Sequence, residues 1–170
     1  LYIMSKALNN LYKEAMLSVD YQLSSSMFCK IDNMNVNYEM IKKVEKEMNN
    51  IIAKDLEIRK VIMTKEEAKV FYNNEKTLKG IAQMDSRQKE SVSLYYCEDY
   101  YHYFFGVMPI STGYTKVFSL NLYRDGFIVR YPSTTKPNEL TEFKDNKKLI
   151  STMEEYEDIH RVLNINNVYK

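Results

Sequence analysis

Apolar residues along this chain recur at helical spacing in some stretches and at strand spacing in others. Over residues 3–17, Ile3, Met4, Ala7, Leu8, Leu11 and Ala15 share one helical face, and Lys6, Asn9, Asn10, Lys13 and Glu14 the other. Val19–Leu23 and Met27–Ile31 are short apolar runs broken by Ser24-Ser-Ser26, the signature of a hairpin. Asn37 is positioned to cap a helix reaching about Lys54, with Met40, Ile41, Val44, Met48, Ile51 and Ile52 on one stripe. Its Lys42, Lys43, Glu45, Lys46 and Glu47 carry both signs and describe a solvated face, with a nucleic-acid patch as the lesser alternative.

Ile58–Met63 has strand character, and Thr64-Lys-Glu-Glu67 has the form of a capping box opening a helix to about Tyr72. A further helical turn is expected at 77–84, followed by the polar break Asp85–Glu90. Val92–Cys97, Tyr100–Phe105, Thr115–Leu122 and Phe127–Tyr131 follow as four strands through short links. Residues 132–147 form an exposed loop, and Ser151-Thr-Met-Glu154 opens a last helix to about Leu163. Short links between strands, with single apolar stripes on the helices, predict an α+β fold: a mostly antiparallel sheet with the 3–17 and 38–54 helices on one face.

Composition adjusts this picture in a few places. With 170 residues the chain suits a single domain spanning 1–170 with its own core. Its 24 Lys plus Arg and 23 Asp plus Glu balance, so the basic footprint of a duplex-binding module is missing. No apolar run reaches the roughly 20 residues of a membrane span, and no secretory signal opens the chain, so no membrane partner is expected and the location expected is cytoplasmic. The opening lacks an initiator Met and is helical in pattern from the start, as in a piece of a longer protein. The 10 Met read as core filler, and Cys29 and Cys97 as reduced, buried thiols.

Candidate chemistry gathers around Glu98–Phe118, where Tyr100, Tyr101, Tyr103, Phe104 and Phe105 cannot all point inward on one strand. The chain holds no phosphate-binding glycine loop, and His102 and His160 are each without a metal-face neighbour. Cys97 and His102, five residues apart, fall on opposite faces if one strand carries both, which argues against a nucleophile pair. Ser111-Thr112-Gly113 offers hydroxyls and converging amides for an anion, against the plainer alternative of a turn satisfying its own backbone. Arg130, with Tyr123 and Tyr131 near it in the sequence, is a second candidate partner for phosphate or carboxylate, against the plainer alternative of an exposed strand Arg. With Tyr101 and His102 these residues form the candidate ligand rim.

Longer runs add a resemblance. The helix ending Ala7-Leu-Asn-Asn-Leu-Tyr12, the run Asn37–Met48 before Ile58–Met63 and the Glu66-Glu-Ala68 helix start are one set. Tyr101–Tyr114, Gly126–Pro132 and Glu155–Val168 are another. In this order they resemble the second additional domain of threonyl- and alanyl-tRNA synthetases, in the version lying between a TGS-like domain and a P-loop kinase domain in bacterial uridine kinase-like proteins. The resemblance covers nearly the whole chain and implies a synthetase editing-domain-like fold, with the TGS-like and kinase domains outside it.

Synthetases of this family hydrolyse mischarged tRNA with a His-x-x-x-His pair on the first helix and a Cys-x-x-x-His pair on a later strand and loop. The matching positions here are Tyr2, Phe104 and Met108, none of which ligates a metal or activates water at neutral pH. The resemblance therefore implies a degenerate, non-catalytic site whose three residues face one another. It also implies a parent chain that phosphorylates uridine or cytidine with ATP and Mg through its P-loop kinase domain, the expected partner, and no cofactor in this stretch. The alternative is an RNA- or tRNA-acceptor-binding module in which Tyr100, Tyr101, Tyr103 and Tyr114 stack on bases. A surviving aminoacyl-ester hydrolase is a third reading.

Overall fold

The computed structural model describes residues 1–23, 25–74, 90–104 and 106–140, with residues 151, 159 and 162 as isolated positions. The expected helices at 77–84 and 151–163, His160 and the second half of the 132–147 loop lie outside the described residues. In chain order the elements are α1 (Tyr2–Leu11), β1 (Leu17–Leu23), β2 (Ser26–Ile31), α2 (Tyr38–Ala53), β3 (Arg59–Thr64) and α3 (Lys65–Asn74). There follow β4 (Ser91–Cys97), β5 (Tyr100–Tyr103), a 3-10 turn (Thr112–Tyr114), β6 (Ser119–Tyr123) and β7 (Gly126–Arg130). All strand pairs among these are antiparallel, so the fold is α+β, as the short links and single-stripe helices predict.

The single sheet is a correction. The strands divide into a four-stranded sheet, β1-β2-β7-β6, and a three-stranded sheet, β3-β4-β5. The four strands from Val92 to Tyr131 are successive neighbours only in pairs, β4 with β5 and β6 with β7: β7 also returns to pair with β2, Phe127 opposite Cys29, and β4 also pairs with β3. This crossing demands close backbone approach at the β6–β7 turn, where a Cβ on Gly126 would stand 2.2 Å from the Cys29 carbonyl oxygen. Only glycine fits there.

Helices α1 and α2 lay their apolar stripes on the four-stranded sheet. Met4, Ala7, Leu8, Ile41, Val44, Met48 and Ile51 meet Cys29, Ile31, Leu120, Phe127 and Val129 in the main core. The caps of α2 and α3 form as their sequences specify. Asn37 Oδ1 accepts from the Met40 amide at 2.9 Å, and the Thr64 and Glu67 side chains exchange bonds with each other's amides at 3.2 and 2.8 Å. Ala68 and Tyr72 of α3 pack on Val92 and Leu94 of the three-stranded sheet.

Helix α1 ends at Leu11, well short of residue 17, because Leu17 begins a strand opposite Ile31. Sheet pairing and burial of Leu17 against the core override a helical period that Ala15 alone continued. The Tyr100–Phe105 strand stops at Tyr103, and residues 115–118 precede β6 without regular structure.

Candidate functional site

Tyr2 and Lys6 stand one turn apart on α1 and both reach the β4–β5 hairpin. Tyr2 is 2% exposed. Its hydroxyl donates to the Tyr95 carbonyl at 3.0 Å and lies 3.3 Å from that of Tyr100. Its ring meets those of Tyr100 and Phe104 edge-on, with centroids 5.4 and 5.6 Å away. Ile58 and Cys97 are buried in the same cluster, and Leu56, Phe104 and Met108 pack against it. Tyr2, Phe104 and Met108 are thus brought together, in a cluster that also holds Tyr100.

The electrostatics of this cluster are those of an apolar interior. Burial pushes the Tyr2 and Tyr100 phenols above their ordinary range and raises the Cys97 thiol. All three are neutral at pH 7 and supply neither base nor nucleophile. Cys97 and His102 share one face of the hairpin, which corrects the opposite-face expectation. A two-residue turn, Glu98-Asp99, separates them, so Cys97 pairs with Tyr100 and Tyr95 with His102 across the ladder. His102 Nδ1 lies 2.7 Å from the Tyr103 carbonyl, and its ring packs 5.3 Å from that of Phe104.

Lys6 also departs from expectation: the periodicity puts it on the polar face, yet it is 1% exposed. Its Nζ lies 3.2 Å from a Glu98 oxygen and 3.4 Å from an Asp99 oxygen. Glu98 holds a left-handed backbone, φ 55, without being glycine. The ammonium ties that turn to α1, and its stem contributes packing as the charge reaches the two exposed carboxylates. No residue spacing announced this pairing, since 92 positions separate Lys6 from Glu98.

The remaining rim residues do not form one site. Tyr101 projects to the other face of β5, against Phe71 and Tyr96 at 4.2 and 4.4 Å. Arg130 sits on β7 in the four-stranded sheet, opposite Ser26 and Ser119. Thr112 is fully buried, donating to the Ile51 carbonyl at 2.7 Å and accepting from the Leu56 amide at 2.9 Å. Ser111 and Gly113 already serve an anion, the Asp55 carboxylate. One oxygen of Asp55 accepts from both the Ser111 hydroxyl and, at 2.9 Å, the Gly113 amide. A Cβ on Gly113 would meet that oxygen, so a larger residue there would push the Asp55 carboxylate aside. Of the tyrosines assigned to base stacking, Tyr100 is buried and Tyr103 packs against the α3 cluster, while Tyr114 is 63% exposed.

Among the described residues no group of three or more His, Cys, Asp and Glu side chains could hold a metal ion, and no helix is long and apolar enough to cross a membrane. No protein-family model matches the chain. It is 25% identical over 160 residues to the threonine–tRNA ligase of Thermoplasma volcanium, covering 92% of this chain and 24% of that ligase. It is 34% identical over 76 residues to the threonine–tRNA ligase of Clostridium acetobutylicum, covering 44% of this chain and 12% of that one. The chain therefore spans a quarter or less of these curated relatives. The similarity is weak, falls on threonine–tRNA ligases in both cases, and fits the editing-domain-like α+β fold.

Proposed function

We propose that this threonyl-tRNA-ligase-like chain is a non-hydrolytic accessory domain, working within a longer protein. The observation that supports the reading is the cluster at Tyr2. Where the resemblance implies a hydrolytic pair there is a phenol bonded into the sheet backbone, a Phe ring against it, and Met108 beside them. Such a neutral, close-packed group has no ligand set for a metal and no base for water.

The finer reading takes the parent to be a uridine kinase, transferring phosphate from ATP with Mg through a P-loop domain outside this chain. Its support is the resemblance in Tyr101–Tyr114 and Gly126–Pro132, which fall on β5 with the loop after it and on β7 with the residue pair that follows. The RNA-binding alternative draws less support, because its stacking set loses Tyr100 to the interior.

Incubation with a mischarged threonine-specific tRNA tests the first claim: ester hydrolysis should run at the uncatalysed rate. Acceleration that disappears in Tyr2→Ala would overturn it. For the kinase reading, the full-length protein should phosphorylate uridine or cytidine with ATP and Mg. A full-length chain inert towards both nucleosides removes that reading and leaves the first intact.

A further inference from the structure

The loop that the sequence offers as an anion site has its donors taken, and what remains open beside it has a different chemistry. Asp55 follows α2 in a left-handed backbone, φ 47, at the end of a sixteen-residue helix whose carbonyls place partial negative charge there. Its Oδ1 is held by Ser111 and Gly113. Its Oδ2 makes no hydrogen bond or ion pair among the described residues. Those two donors keep the carboxyl below its usual range, so it is charged at neutral pH.

Asp55, Ser111, Gly113, Tyr114 and Lys116 line an open cleft of about 180 Å³. That is room for a small organic molecule lying on an open surface. Tyr114 presents its ring to the solvent, and Lys116 lines the same cleft, its charge near enough to Asp55 to help keep that carboxyl ionised. The cleft thus offers a fixed carboxylate oxygen and an aromatic face, both suited to an ammonium, with a cation beside them suited to an anionic group.

We propose that this cleft binds a small zwitterion, its ammonium on Asp55 Oδ2 against the Tyr114 ring and its carboxylate or phosphate on Lys116. A simple anion meets Asp55 at close range and a simple cation meets Lys116, so neither charge alone is accommodated as well as the pair. The site is separate from the Tyr2 cluster and does not depend on the accessory-domain reading.

Saturation-transfer NMR on the full-length protein tests this with β-alanine and phosphoethanolamine as probes, which differ only in the anionic end, and with propionate and ethylamine as single-charge controls. Both charges lie at an exposed site, so saturable binding is expected in the millimolar range. Asp55→Asn keeps an oxygen for Ser111 and Gly113 while removing the charge, and should weaken both zwitterions by about threefold to fivefold, as should Lys116→Gln. Preference for phosphoethanolamine over β-alanine assigns the anionic end as phosphate, and the reverse assigns carboxylate. The proposal is overturned if neither zwitterion shows saturable binding below about 50 mM, if Asp55→Asn changes nothing, or if propionate binds as tightly as the zwitterions.

Discussion

Tyr2→Ala is the sharpest probe of how this chain is held together, because one side chain joins α1 to both strands of the β4–β5 hairpin. The ring is 2% exposed, and truncating a buried aromatic to Ala costs about 3–5 kcal/mol. Two edge-on ring contacts are worth about 0.5–1.5 kcal/mol each, part of which the truncation range already contains. The hydroxyl has one proton for two carbonyls, so it adds about 1 kcal/mol, the net worth of one hydrogen bond. These overlapping contributions put the loss near the top of the truncation range, at about 4–5 kcal/mol. For a domain of this size that lowers Tm by roughly 8–20 °C.

Urea unfolding followed by circular dichroism measures the loss directly, with an unchanged m-value showing that stability alone has moved. Tyr2→Phe, which keeps the ring, should lose only about 1 kcal/mol. A Tyr2→Ala loss below about 1.5 kcal/mol would refute the packed cluster, because an open recognition surface pays little for such a truncation. So would a Tyr2→Phe loss equal to that of Tyr2→Ala, since the ring would then carry none of the energy.

Three further outcomes follow from the same geometry. Phe104→Ala should destabilise by about 2–3 kcal/mol in urea unfolding, below the full core-truncation range because Phe104 is only half-buried. Lys6→Met should stay within about 1 kcal/mol of the parent while Lys6→Ala loses more than that, since Met keeps the packing stem and removes the charge; equal losses in the two would contradict it. Burial holds the Tyr2 and Tyr100 phenols above their ordinary value, and the Cys29 thiol is pushed up to about 12. Above pH ~9 the unfolded chain sheds protons from these groups that the folded chain retains, so their contribution to stability should be level from neutral pH to about 9 and fall steadily through pH 12, as read by urea midpoints.

Local chemistry was legible in the sequence wherever a rule acts within a few residues. The Asn37 cap, the Thr64–Glu67 box and the stripe of α2 appear as their spacing specifies, because their partners are three or four residues away. Short links between strands and the single apolar stripes of the helices also pointed to the antiparallel α+β class. The tertiary structure alone decided what depends on distant partners. The return of β7 to β2 splits the strands into two sheets, and period-two patterns look the same in either arrangement. Lys6 reads as a surface residue until Glu98 and Asp99 arrive beside it. Cys97 and His102 change from opposite faces to one face because a turn intervenes. Ser111 and Gly113 look like an anion cradle until Asp55, more than fifty positions earlier, fills it. In each case a side chain's character was fixed by its residue type, but its partner was chosen by chain closure, which no short window of sequence contains.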